Sequence, residues 1–139
     1  MQLHRLFFLA ATLSLLVAAT SCSTRQAAAL EGDWKVVKLG AESLQAGETT
    51  PTFGVKSADS LVYGSTGCNR YSSRATSRDL LKGNFDFSRM AVTRRYCHDA
   101  KYEGAWLETL GKARRFALKD GRLCLYGEDG AVLAELERQ

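Results

Sequence analysis

The stretch Gly64-Ser65-Thr66-Gly67-Cys68-Asn69-Arg70-Tyr71 decides the fold. It gathers two glycines, a cysteine and an amide in one short run, where a strand is about to turn or bulge. Gly64 and Gly67 flank a Ser-Thr pair, and glycine is favoured at such a point because it tolerates positive φ and close approach of backbone. A second cysteine lies downstream in Thr93-Arg94-Arg95-Tyr96-Cys97, just ahead of the one clear helical pattern in the chain. Cys68 and Cys97 are therefore placed to join a strand to the start of a helix.

Tyr102, Trp106, Leu110 and Ala113 recur on one helical face with Leu107 beside them, and Asp99 is read as the cap of its N-terminus. Gly104 inside this pattern costs about 1 kcal/mol relative to alanine, so packing of Trp106 has to hold the helix. Around it the period is two. Asp33 to Leu39, Thr52 to Lys56, Leu61 to Tyr63 and Cys68 to Ala75 read as strands, and Ala41 to Thr50 reads as a loop. Leu80-Leu81 and Phe85-Asp86-Phe87 are read as a hairpin around Lys82-Gly83-Asn84. Asp120-Gly121 and Asp129-Gly130 separate three alternating runs at the C-terminus, which predicts an antiparallel meander. No βαβ spacing suggests a parallel sheet. The residues alone thus predict an antiparallel β-protein with one short helix.

Gly-x-x-Gly-Cys-Asn at 64–69, Thr-x-x-x-Cys at 93–97 and Glu103-x-x-Trp106-Leu107-x-x-Leu110 together resemble the META domain family. Trp34, Pro51 before Phe53, and Leu123-x-Leu125 follow in the family's order, and the resemblance runs from Leu30 to the C-terminus. One position departs from it: His98 stands where the family often has proline after the second cysteine. The resemblance implies a small antiparallel barrel of lipocalin-like topology with one short packed α-helix. It also implies a disulfide between Cys68 and Cys97, with Gly64, Gly67, Asn69, Thr93 and Trp106 as structural motif positions. Cys124, between Leu123 and Leu125, is then left as a small half-buried hydrophobe.

The first 21 residues read as a lipoprotein signal peptide. His4 and Arg5 form a basic start, Leu6 to Ala18 is an apolar run too short to span a bilayer, and Ala19-Thr20-Ser21 puts small residues before Cys22. Cys22 is the expected lipidation site, with an ordinary signal peptide as the alternative. Residues 22–29 read as a lipidated tether reaching on the order of 15 Å, and residues 30–139 as the domain. About 118 of the 139 residues remain after such a cut, enough for one core and too few for two. Ser23 after Cys22 points to the outer membrane, facing the periplasm.

Composition narrows the function. The net charge is +4, and Arg70, Arg74, Arg78, Arg89, Arg94 and Arg95 crowd the middle third. A solvated face or one facing anionic headgroups fits an exported chain better than nucleic acid, because the aromatics do not interleave as a stacking platform. There is no Cys-x-x-Cys for redox chemistry. Adjacent Cys97 and His98 do not easily reach one metal, so neither metal nor cofactor is expected. His98 is the sole histidine beyond the leader, and no hydrolase motif surrounds it. Asn69 is read as satisfying nearby backbone in preference to lining a ligand site.

The expectation is a membrane-anchored envelope lipoprotein with no catalytic activity, in a structural role or with an envelope protein partner. The family resemblance adds links to the heat-shock response, antibiotic tolerance and motility. The alternative is a carrier or sensor holding a small apolar ligand in the barrel mouth. The carrier reading requires that Trp34, Phe53, Phe85, Phe87, Trp106 and Phe116 leave the interior open.

Overall fold

The computed structural model describes residues 28–47 and 49–139. The expected signal peptide, Cys22 and nearly all of the expected tether lie outside the described residues. Among the described residues nine strands form one antiparallel sheet: β1 (Gly32–Leu39), β2 (Glu42–Ser43), β3 (Thr52–Lys56), β4 (Leu61–Ser65), β5 (Arg70–Arg74), β6 (Ala91–Val92), β7 (Arg115–Lys119), β8 (Arg122–Tyr126) and β9 (Val132–Arg138). The order across the sheet is β6-β5-β4-β3-β1-β9-β8-β7, with β2 paired to the end of β1. Two helices interrupt the strands, α1 (Ser77–Lys82) and α2 (Glu103–Lys112).

The fold is mainly β, antiparallel and barrel-like, as expected, but the sheet stays open. β6 and β7 are its two edges. The segment between α1 and β6 straps the opening. At one end the Phe85 N–H donates to the Arg114 carbonyl at 2.9 Å and the Phe116 N–H donates to the Gly83 carbonyl at 2.9 Å. At the other end Ala91 and Val92 pair with Ser72 and Tyr71 of β5. One strip of chain thus touches both edges without completing a ladder between them.

The predicted strands appear with small shifts of boundary, and the C-terminal meander is present as β7, β8 and β9. A bulge between Val36 and Lys38 changes the phase of β1 against β9, so that Trp34, Val36 and Leu39 all face the core. The loop expected over Ala41 to Thr50 contains the two-residue strand β2.

Two expectations are corrected. The hairpin around Lys82-Gly83-Asn84 is instead the end of α1, closed by Gly83. Thr76 caps that helix by accepting from the Asp79 N–H at 3.1 Å, and a Thr-x-x-Asp start followed by Leu80 supplies a cap and one apolar anchor. Asp99 does not cap α2. That helix begins after Tyr102, which has no side-chain cap, and Asp99 sits exposed in the preceding turn with its carboxylate 2.9 Å from His98 Nδ1.

The interior is filled by side chains. Phe53 stands edge-on to Phe85, Phe87 and Trp106, with ring centroids 5.5, 6.3 and 6.5 Å away, and Phe85 lies 4.3 Å from Phe116. Trp34 donates its indole N–H to the Leu30 carbonyl at 3.1 Å and carries the Arg138 guanidinium over its outer face at 4.4 Å. All six aromatics named for the carrier test are buried. Trp106 and Leu110 of α2 and Ala113 just past its end are completely enclosed, so the helix plugs the sheet.

Candidate functional site

The glycine turn and the cysteine loop meet at one end of the sheet. β4 ends at Ser65, and its N–H donates to Thr52 Oγ1 at 3.0 Å. A side chain at Gly64 would put its Cβ 2.1 Å from the Thr52 carbonyl and 2.6 Å from the Tyr71 hydroxyl, which itself donates to that carbonyl at 2.7 Å. Gly67 has φ of 94° and backs onto the Thr49 carbonyl at a Cβ distance of 2.1 Å. Close approach at the first glycine and left-handed backbone at the second thus explain the Gly-x-x-Gly spacing.

Asn69 is buried at the centre of this end. Its Oδ1 accepts from the Arg95 N–H at 2.7 Å and from Thr93 Oγ1 at 2.9 Å. Its Nδ2 donates to the Arg95 carbonyl at 3.0 Å and to Glu103 Oε1 at 2.8 Å. The side-chain amide therefore pairs with the Arg95 backbone as a neighbouring strand would. Thr66, wholly enclosed, donates to Glu103 Oε1 at 2.7 Å and accepts from the Asn69 N–H at 2.8 Å. Thr93 Oγ1 also accepts from the Arg70 N–H at 3.0 Å.

The disulfide joins Cys68 to Cys97, 29 residues apart, and closes the same end. Glu103 lies in the first turn of α2, where a carboxylate complements the helix dipole, one turn before Trp106. Trp106 in turn meets Tyr71 of β5 edge-on at 6.4 Å. Burial pushes the Tyr71 phenol well above its ordinary value near 10. The turn, the loop and the helix are thus locked by one polar network and one covalent bond.

A model of the META domain matches residues 27–139 of the chain. The chain belongs to the META domain family. Among solved structures, an NMR structure shares the fold with a TM-score of 0.59 at 16% identity, covering 78% of this chain and 90% of that one. No curated protein matches.

In this META domain all seven signature positions named from sequence converge: Gly64, Gly67, Cys68, Asn69, Thr93, Cys97 and Trp106. Thr66, inside the glycine run, and Glu103, quoted in the helix motif, were given no role of their own by the sequence reading. The spacing Glu103-x-x-Trp106 was a usable signal, since residues three apart share a helix face. Cys124 is buried and free, and burial pushes its thiol up. Among the described residues no group of three or more His, Cys, Asp or Glu converges as a metal would need. His98 and Asp99 are both exposed, with the imidazole Nδ1 2.9 Å from the carboxylate.

The disulfide carries a direct prediction. Closing a loop of 29 residues is worth about 3.5 kcal/mol in the chain-entropy model. Cys68→Ala, Cys97→Ala and the double variant should each lose a similar amount in denaturant unfolding, because either single change already removes the crosslink. In the intact protein Cys124 should be the site that alkylates after denaturation without reductant. Additive losses, or a peptide map linking Cys124 to either partner, would reject the pairing.

Proposed function

We propose that this META domain is held on the bacterial envelope through a lipid on Cys22 and works there without catalysis, as a structural or interaction module in the envelope stress response. One observation carries the non-catalytic part. The polar side chains of the signature are spent on each other: both sides of the Asn69 amide bind protein groups, and Glu103 Oε1 accepts from Asn69 and Thr66. A site built for substrate keeps polar groups directed at an open pocket. Here the interior beneath them is occupied by Phe53, Phe85 and Trp106, which also disfavours the carrier reading.

The anchoring part rests on the apolar run followed by Ala19-Thr20-Ser21-Cys22. Two or more acyl chains hold a protein on a bilayer stably, whereas one is marginal. Cys22→Ala should abolish acylation and move the protein from the membrane to the soluble fraction, read by intact mass and fractionation. A wild-type mature protein with no acyl mass that fractionates as soluble would overturn the anchor.

A further inference from the structure

The signature network does more than lock the core, because it also stiffens the loop that follows β6. Thr93 donates its N–H to the Arg70 carbonyl at 3.0 Å, Arg95 is held through both its N–H and its carbonyl by Asn69, and Cys97 is fixed by the disulfide. Residues 93, 95 and 97 are thus anchored, Arg95 through its backbone alone, while the side chains of Arg94, Arg95 and Tyr96 stay exposed. Among the described residues Tyr96 is 93% exposed, and the next large apolar side chain in exposure, Val132, reaches only 45%. Beside Tyr96 runs a groove of about 490 Å³ lined by Val92, Arg94, Arg95, Glu103 and Leu107.

We propose that this loop, with Tyr96 at its apex and the groove at its side, is the docking site for an acidic segment of a partner polypeptide. The proposal rests on the interaction reading above and names its surface. A large aromatic held on a fixed backbone loses little entropy on binding, and tyrosine and arginine are the residues that dominate interface energetics. Val92 and Leu107 give the groove an apolar floor. Arg94 and Arg95 give it a cationic rim, and no ion pair of the described residues uses them; those present are at Lys38, His98, Lys101, Lys112 and Arg122. Glu103, the carboxylate in the lining, already accepts from Asn69 and Thr66. Guanidinium groups beside an apolar floor suit a chain that alternates carboxylates with apolar side chains.

A lipid surface would use the same charges but fits the placement less well. The chain enters β1 at Gly32, level with Val55 of β3, Val62 of β4 and Ser73 of β5. The loop leaves the sheet at the other end of those strands, beyond Thr52, Ser65 and Arg70. A domain tethered through its N-terminus therefore points the loop away from the anchor.

The test places a photo-crosslinking phenylalanine analogue at Tyr96 in the full-length protein in cells, with a second at Val132 for comparison. The Tyr96 probe is expected to join a polypeptide whose crosslinked segment is acidic. A synthetic peptide of that segment should bind the purified protein, weaken at raised salt, and lose affinity about tenfold or more with Tyr96→Ala and with Arg94→Ser at unchanged melting temperature. Crosslinking to lipid, or a peptide that binds Tyr96→Ala as tightly as wild type, overturns the proposal. Products at Val132 with none at Tyr96 overturn this site and leave the interaction reading standing; products at neither position overturn both.

Discussion

Asn69→Ala is expected to lower the unfolding free energy by about 4 kcal/mol. The change deletes the side-chain hydrogen bonds to the Arg95 N–H, the Arg95 carbonyl, Thr93 and Glu103, and a longer one to Cys68 Sγ. Each is worth about 1 kcal/mol net, and a partner left buried without a replacement costs about 1 to 3 more. Asn69→Asp keeps the shape but loses the donors and sets a second carboxylate against Glu103. Its cost should match or exceed that of alanine, because two carboxylates would then face each other in an enclosed site. Chemical denaturation of the two variants checks both statements.

Trp106→Ala should cost roughly 3 to 5 kcal/mol, the usual range for removing a buried tryptophan from a packed core. Its side chain is fully enclosed and touches Phe53 of β3 and Tyr71 of β5, so its loss would open a cavity where the helix meets the sheet. Set against about 5 to 15 kcal/mol for a whole domain, such a loss leaves little reserve. Trp106→Phe, which keeps much of the volume, should fall well below it. If Trp106→Ala left the melting transition in place but removed a partner, α2 would be a lid and not a plug.

Much of this architecture was legible from the chain. The Asp-Gly turns at 120–121 and 129–130 announce β7, β8 and β9, because alternating apolars on both sides of such a turn leave few other arrangements. Trp106 and Leu110 announce α2 through their spacing. Helix α1 was not legible, since six residues make too few turns for a period to show, and its one signal was the Thr76-x-x-Asp79 start. Asp99 was misplaced as a cap because any acidic residue shortly before a helical pattern looks like one.

The openness of the sheet was invisible for a different reason. It depends on where the 83–92 strap lies between β7 and β5, and that is a matter of tertiary placement. The core of the signature was half legible. Glycines, cysteines and Asn69 mark the place, yet the bonds from Thr66 and Asn69 to Glu103 span 37 and 34 residues and leave no local trace.

The signature acts as a clamp joining the glycine turn, the cysteine loop and α2. A double-mutant cycle on Asn69 and Glu103 measures that coupling, using the unfolding free energies of wild type, Asn69→Ala, Glu103→Ala and the double variant. The clamp predicts that the double variant loses less than the two single losses combined, by about 1 kcal/mol or more, since groups in one network are coupled. Small single losses that simply add would contradict it.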